Sequence, residues 1–109
     1  MANIEDFSRL DIRVGRITNV EDVEKARKPI YKLTIDFGPE IGVRTILAGV
    51  KSFYGKEQLL NRQVSCIVNL EPKVIAGIES NGMILAAEDE TGIAFLTPER
   101  ELANGSKVS

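Results

Sequence analysis

The segment LDIRVGRI, residues 10–17, decides the fold class that this sequence predicts. Its apolar residues alternate with polar ones as far as Val14, which is the pattern of a strand with one buried face. The parity of the apolar positions then changes across Gly15-Arg16, and Ile17 continues on the new phase. A glycine at such a change indicates a β-bulge, the device that bends a strand around the corner of a barrel.

Two short helices are predicted, one before this strand and one in the middle of the chain. The first covers Asn3–Leu10, where Asn3 can cap the helix and Asp6 stands at the capping-box position. The second covers Lys56–Arg62, which lacks β-branched residues and contains two leucines.

Alternating apolar residues predict the remaining strands, which are Tyr31–Phe37, Val43–Leu47, Val64–Leu70 and a final hairpin of Met83–Ala87 with Ile93–Leu96. A loop at 21–29 and turns at 38–42 and Ser80-Asn81-Gly82 separate them. Three strands, a short helix and then two or more strands is the order of a five-stranded Greek-key barrel, the OB-fold. An SH3-like barrel is the competing fold, but the helix between the third and fourth strands favours the OB-fold. We therefore predict a mainly β chain with short helices, folded as a single domain over residues 1–109.

The composition argues against an enzyme or a metal protein. The 109 residues are 43% hydrophobic and 28% charged, as in an ordinary globular domain, and they include no His and one Cys. Without His the usual general base near neutral pH is missing, and so is the commonest metal ligand. The single thiol, Cys66, falls on the apolar parity of its strand, so we expect it to be buried and inert. No catalytic residue, metal site or cofactor is predicted.

The chain is expected to be cytoplasmic. Its first residues carry no basic segment followed by an apolar run, so no signal peptide is predicted. The longest wholly apolar run, Met83–Ala87, is far shorter than the roughly 20 residues that a membrane span needs. A lone cysteine, which excludes an intramolecular disulfide, fits a reducing compartment.

Charge is distributed unevenly along the chain. The formal net charge is −2, yet residues 9–73 carry 12 Lys or Arg against 8 Asp or Glu, and residues 74–109 carry 2 against 6. Four cations fall within eight residues, in the loop after the first strand and at the start of the second: Lys25, Arg27, Lys28 and Lys32. In an OB-fold this loop borders the nucleic-acid face. The alternative is an ordinary solvated basic loop.

Polar residues after the fourth strand are a second set of candidates. Asn69 is polar at the end of an apolar strand, and Ser80, Asn81 and Met83 follow in the next turn. Amide and hydroxyl groups beside a soft apolar side chain suit contacts to bases and ribose. Ordinary turn chemistry, for which Asn-Gly is a strong signal, explains the same residues equally well.

Four aromatic residues are candidates for stacking on bases. Tyr31 and Phe37 share the core parity of their strand, so we expect them to be buried. Phe53 and Tyr54 lie outside the alternation and are freer to be exposed.

The stretch NLEPKVIAGIESNGM, residues 69–83, resembles the signature of a tRNA-binding OB-fold family, and residues 10–17 resemble its opening strand. That family includes the C-terminal domain of methionyl-tRNA synthetases, free-standing tRNA-binding proteins and the CsaA export chaperones. The resemblance implies recognition of tRNA by shape and backbone. It makes Asn69, Ser80 and Met83 the matched contact candidates and Lys32 and Lys73 phosphate partners. Lys28 and Asn81 complete the predicted site.

Different parts of the chain resemble two subgroups of this family, the CsaA proteins and the synthetase-appended domains. Segments 26–29, 35–38 and 96–107 look like CsaA, whereas segments 46–50 and 80–83 look like the synthetase-appended domains. Where the synthetase pattern tends to be basic, this chain has Glu71, Val74 and Ala76. The implied function is a tRNA-binding cofactor of an aminoacyl-tRNA synthetase, and the alternative is a CsaA-type chaperone for unfolded polypeptides.

The resemblance also implies a homodimer. Its expected extensions are the N-terminal helix, residues 1–9, and the C-terminal tail, residues 97–109. Ile4 and Phe7 share an apolar face of that helix, and Val108 lies in a tail too small to bury itself.

Overall fold

Three helices and nine strands make up the chain in a computed structural model that describes residues 1–109. In chain order they are α1 (Ile4–Ser8), β1 (Ile12–Asp22), β2 (Tyr31–Asp36), α2 (Gly38–Ile41), β3 (Val43–Ala48), α3 (Lys56–Leu59), β4 (Gln63–Ile67), β5 (Lys73–Ile75), β6 (Ile78–Ser80), β7 (Met83–Ile84), β8 (Ala86–Asp89) and β9 (Gly92–Phe95). None of the helices is long and apolar enough to cross a membrane.

Five antiparallel strands form the main sheet in the order β3-β2-β1-β4-β7. The long strand β1 serves two partners, because Ile12–Arg16 pairs with β4 and Arg16–Asp22 pairs with β2. The sheet curls until its edges nearly meet: Asn81 N donates to Thr45 O (2.8 Å), and Leu47 N donates to Ser80 Oγ (3.0 Å). This is the strand order of an OB-fold barrel, so the fold prediction is confirmed.

The change of parity in β1 is real, but the predicted bulge was placed too early. Val14 and Gly15 are both buried, as the change of parity requires. The pairing register with β2 shifts only later, between Ile17 and Asn19. Gly15 instead lies where core side chains contact the backbone of β1, because a Cβ at this position would be 2.6 Å from the ring of Phe37.

The core fills the barrel from its strands and from α3. Tyr31 and Phe37 are buried as predicted, and so is Cys66. The fully buried side chains are Ile17, Leu33, Ile35, Phe37, Ile46, Leu59, Val64 and Cys66. Each large apolar side chain among them contributes roughly 1.5–3 kcal/mol by leaving water.

Four predicted elements are shorter than their patterns indicated. The helix predicted over Asn3–Leu10 spans Ile4–Ser8, and the strand predicted over Met83–Ala87 ends at Ile84, with a separate strand beginning at Ala86. The helix predicted over Lys56–Arg62 ends at Leu59, because Leu60 is extended and Asn61 has a φ of 68°. The strand predicted over Val64–Leu70 ends at Ile67. The capping box of α1 is confirmed, since Asp6 N donates to Asn3 Oδ1 (3.0 Å) and Asn3 N donates to Asp6 Oδ2 (3.1 Å).

The turn predicted at Ser80-Asn81-Gly82 is present only at Asn81-Gly82, which joins β6 to β7, because Ser80 belongs to β6. The reversal after β5 occurs at Ala76-Gly77, where both residues have positive φ (52° and 79°), and it makes β5 and β6 a hairpin. Ser80 is the last residue of β6 and is buried.

The C-terminal tail lies along β1 of its own chain. Val14 N donates to Ser106 O (2.9 Å), Gly105 N to Val14 O (2.7 Å) and Val108 N to Ile12 O (2.8 Å). The tail therefore covers the part of β1 that β2 leaves free.

Candidate nucleic-acid interface

A cleft of about 470 Å³ separates the loop after β1 from the β5–β6 hairpin. The residues that line it are Glu21, Asp22, Val23, Glu24, Lys25, Lys32, Ala76, Gly77 and Ile78. The fold thus brings the predicted basic loop and part of the 69–83 segment to opposite walls of one cleft.

Three of the predicted cations are free to meet an external anion. Lys25, Arg27 and Lys28 are exposed and take part in no ion pair. Lys32 is partly buried, and its Nζ lies 3.5 Å from Glu21 Oε2. Lys73 is exposed on β5, opposite Ser80 in the hairpin. The unpaired positive charge is therefore concentrated in the loop, and Lys25 also lines the cleft.

The side chain of Asn69 is engaged by the backbone on both sides. Its Oδ1 accepts from Asp11 N (2.8 Å), and its Nδ2 donates to Arg9 O (2.8 Å). These bonds hold the end of α1 against the segment after β4. A structural role explains why an amide follows this apolar strand, although one donor hydrogen and one acceptor lone pair of the Asn69 amide stay free for another partner.

Ser80 closes the barrel. Its Oγ accepts from Leu47 N (3.0 Å), which would otherwise be an unpaired donor on the edge of β3. The next residue, Asn81, also contacts β3, because its backbone N donates to Thr45 O. Nearby, Arg44 Nη1 donates to Val68 O (2.9 Å).

Substituting Ser80 by Ala is expected to lower the free energy of unfolding by about 1–2 kcal/mol, because the Leu47 amide then loses its acceptor. Urea unfolding of the Ser80→Ala variant measures this loss. Met83→Ala is the matched comparison, since Met83 is 49% exposed and should cost less. Equal losses in the two variants would contradict the closing role of Ser80.

Met83 lies in an apolar groove instead of facing the basic loop. The groove has a volume of about 220 Å³ and is lined by Leu47, Ala48, Gly49, Val50, Met83, Ile84, Ala86, Ile93 and Phe95. Met83 thus lines this groove whereas Lys32 lines the cleft, so the structure does not bring these two predicted site residues together.

Only one of the two aromatic residues predicted to be exposed is available for stacking. Phe53 is 49% exposed. Tyr54 is partly buried, because its ring stacks on Phe95 at a centroid distance of 5.2 Å and Arg62 covers it at 5.9 Å.

Two lysines that the sequence did not single out lie beside the basic loop. Lys51 Nζ is 3.0 Å and Lys56 Nζ 2.9 Å from the carboxylate of Asp22. Hydrogen bonds from Lys56 and then Lys51 lower the pKa of Asp22. The sequence alone does not indicate these ion pairs, because about 30 residues separate each lysine from Asp22.

The one thiol is enclosed by the core. Burial raises the pKa of the Cys66 thiol from its ordinary 9.0 to about 12. A thiol that keeps its proton is a poor nucleophile. The chain also holds no group of three or more Asp, Glu, His or Cys side chains placed to bind a metal ion.

Alkaline pH is expected to destabilise the fold through Cys66. Between pH 9 and 12 the unfolded chain gives up the thiol proton first, so the unfolded state binds fewer protons and the free energy of unfolding falls as pH rises. At about pH 10.5 the loss should reach about 2 kcal/mol, at 1.36 kcal/mol per pH unit. Urea unfolding near pH 8 and 10.5 should show this loss in the wild type and a smaller one in Cys66→Val. An equal loss in both would contradict it.

The sequence pattern of the family described as "Putative tRNA binding domain" matches residues 12–107. The chain belongs to this tRNA-binding family. Methionine–tRNA ligase of Pyrococcus horikoshii is 48% identical to this tRNA-binding domain over 104 residues. The match covers 95% of the chain and 14% of the ligase, so the chain corresponds to a small part of that relative.

Two solved structures share the fold of this tRNA-binding domain over its full length. The CsaA chaperone protein from Picrophilus torridus superposes with a TM-score of 0.94 at 39% identity, and each chain is covered completely. The MetRS-related protein from Pyrococcus horikoshii has a TM-score of 0.89 at 31% identity, covering 100% of this chain and 98% of the other.

Proposed function

We propose that this chain is a non-catalytic module that binds folded tRNA through its phosphate backbone. The observation that carries the proposal is the exposed, unpaired cationic loop of Lys25, Arg27 and Lys28 at the rim of the OB-fold cleft. Lysine and arginine contacts to phosphate supply most of the affinity in such interfaces. Membership of the tRNA-binding family supports the choice of tRNA among polyanions.

The proposed site combines phosphate contacts with structural support. Lys28, Lys32 and Lys73 contact the backbone of the RNA, and Asn81 and Met83 border the neighbouring face. Asn69 and Ser80 act through the backbone positions that they hold, since both side chains are already hydrogen-bonded within the protein.

The proposed setting is the cytoplasm, where the module acts in trans as a cofactor of an aminoacyl-tRNA synthetase. The 48% identity to part of a methionine–tRNA ligase supports this partner. Such a module raises the local concentration of tRNA at an enzyme without supplying a reacting group of its own.

The proposed active form is a homodimer joined through the N-terminal helix α1 and the C-terminal tail, whose residues 105–108 are hydrogen-bonded to β1 of the same chain. No residue of α1 is buried, and its apolar side chains Ile4 (74% exposed) and Phe7 (39%) lie uncovered. Leu10 and Leu70, 37% and 39% exposed, are further uncovered apolar residues. Leu10 and Leu70 lie close to each other, because the amide of Asn69 donates a hydrogen bond to Arg9 O. A second copy would cover this surface and present two basic loops to one tRNA.

The test is equilibrium binding of the purified chain to labelled bulk tRNA at about 150 mM salt, because salt sets the electrostatic contribution. Excess single-stranded RNA is the competitor, and light scattering gives the oligomeric state. Saturable binding that the competitor does not displace supports recognition of folded tRNA. Weak binding that appears only at low salt and yields to the competitor contradicts it.

The apolar groove favours a second candidate, a CsaA-type chaperone that binds unfolded polypeptides. Eight of its nine lining residues are hydrophobic, and Met83 at its edge is 49% exposed. A flexible thioether suits varied apolar ligands. Suppression of the aggregation of an unfolded client, reduced by Met83→Asp and unaffected by tRNA, would establish this activity. Displacement of the client by tRNA would place both ligands on one surface.

A further inference from the structure

We propose that Lys51 and Lys56 form a two-pronged phosphate site, which Asp22 fills in the free protein and an RNA phosphodiester fills in the complex. The inference rests on the proposed RNA-binding function and extends it to two lysines outside residues 69–83.

The carboxylate of Asp22 shows what this site accepts. Its Oδ1 lies 3.0 Å from Lys51 Nζ, and its Oδ2 lies 2.9 Å from Lys56 Nζ. One small anion thus bridges both ammonium groups, with one oxygen on each. A phosphodiester carries the same net charge and also presents two neighbouring oxygens, so it can make the same pair of charge-assisted hydrogen bonds.

These three side chains are open to exchange. Lys51, Lys56 and Asp22 are 45%, 48% and 42% exposed, so water and ions reach every bond between them. Ion pairs of this kind stabilise a protein little, since solvent screens them and the long side chains lose entropy. Replacing the carboxylate by a phosphate therefore costs the fold little.

The site is continuous with the basic loop. Asp22 pairs with Tyr31 in the β1–β2 ladder, and the loop that carries Lys25, Arg27 and Lys28 spans the interval between them. Lys51 N donates to Pro29 O (3.3 Å), so the segment after β3 is fastened to the end of that same loop. An RNA backbone that lies on the loop therefore passes beside the two lysines.

Asp22 consequently acts as an internal competitor of the RNA. The Asp22→Asn substitution keeps the size of the side chain and removes its charge, which releases both lysines for phosphate. We expect this variant to bind bulk tRNA about fivefold more tightly at 150 mM salt. The slope of log affinity against log salt should steepen by about one, because in the wild type the displaced Asp22 carboxylate takes up a cation as the phosphate releases one, and asparagine does not.

Two controls separate this site from a general effect of charge. Glu90→Gln removes one negative charge from the β8–β9 turn, outside the proposed interface, and Glu90 is exposed and takes part in no ion pair. We expect it to change the affinity by less than twofold. In a Lys51→Gln/Lys56→Gln background, Asp22→Asn should no longer strengthen binding. Thermal unfolding confirms that each variant is folded.

The outcomes distinguish this inference from the function on which it rests. If wild-type protein binds tRNA but Asp22→Asn behaves like Glu90→Gln, the phosphate site is wrong and the proposed function stands. The same conclusion follows if Asp22→Asn strengthens binding equally without the lysines. If neither the wild type nor Asp22→Asn binds tRNA, the proposed function and the phosphate site are both wrong.

Discussion

A variant in which Lys25, Arg27 and Lys28 are all glutamine is expected to bind bulk tRNA about 100-fold more weakly than the wild type at 150 mM salt. Each phosphate contact contributes about 0.7–0.9 to the slope of log affinity against log salt, which is worth about four- to fivefold at this salt concentration. Three contacts together therefore account for about 100-fold. These side chains are exposed and unpaired, so their loss should leave the fold intact.

The salt dependence identifies the cause of this loss. Wild-type and variant affinities, measured from about 50 to 300 mM salt, should differ in slope by about two to three and converge at high salt. A matched control replaces three other exposed, unpaired cations, Arg9, Arg100 and Lys107, by glutamine and changes the net charge equally. These three residues lie in the proposed dimer extensions, so light scattering must first show that the control keeps the oligomeric state of the wild type. A similar loss in such a control would mean that net charge, and not the loop, attracts the RNA. An unchanged affinity in the loop variant would refute the site.

The sequence predicted those parts of the fold that local chemistry determines. The capping box needs only Asn3 and Asp6, three residues apart, and it is present as expected. The strands of the barrel follow from alternation because one face of each meets the core. The five-stranded order then follows from the number of strands and the position of the helix, as the sheet order confirms.

The sequence predicted less of the candidate site because the partners of its polar residues are remote. Ser80 is hydrogen-bonded to the amide of Leu47, and Asn69 to backbone groups 58 and 60 residues away. Their local context, an Asn-Gly turn signal and the end of a strand, gives no sign of either contact. Asp22 likewise meets Lys51 and Lys56 only after β1 and β3 have become neighbours of β2.

Gly15 was correctly singled out by the change of parity in β1, but the structural reason for the glycine is not a bulge. The glycine at the change of parity indicated a bulge, yet the register shift lies between Ile17 and Asn19. Gly15 is required because the strand passes directly beneath two core side chains, so that a Cβ would lie 2.6 Å from Ile35 Cγ2 and from the ring of Phe37. Steric exclusion, and not backbone conformation, therefore keeps this position a glycine.

Replacing Gly15 by Ala is accordingly expected to lower the free energy of unfolding by about 2–3 kcal/mol. Ile35 and Phe37 are fully buried, so neither side chain can move away without displacing the rest of the core. The midpoint of thermal unfolding should fall by about 10–15 °C. Gly49→Ala is the matched control, because Gly49 is exposed and a Cβ there meets no atom within 4 Å. We expect that variant to unfold within a few degrees of the wild type; a Gly15→Ala protein equally stable would show that the core yields to the added methyl group, and the close crossing would then not explain the glycine.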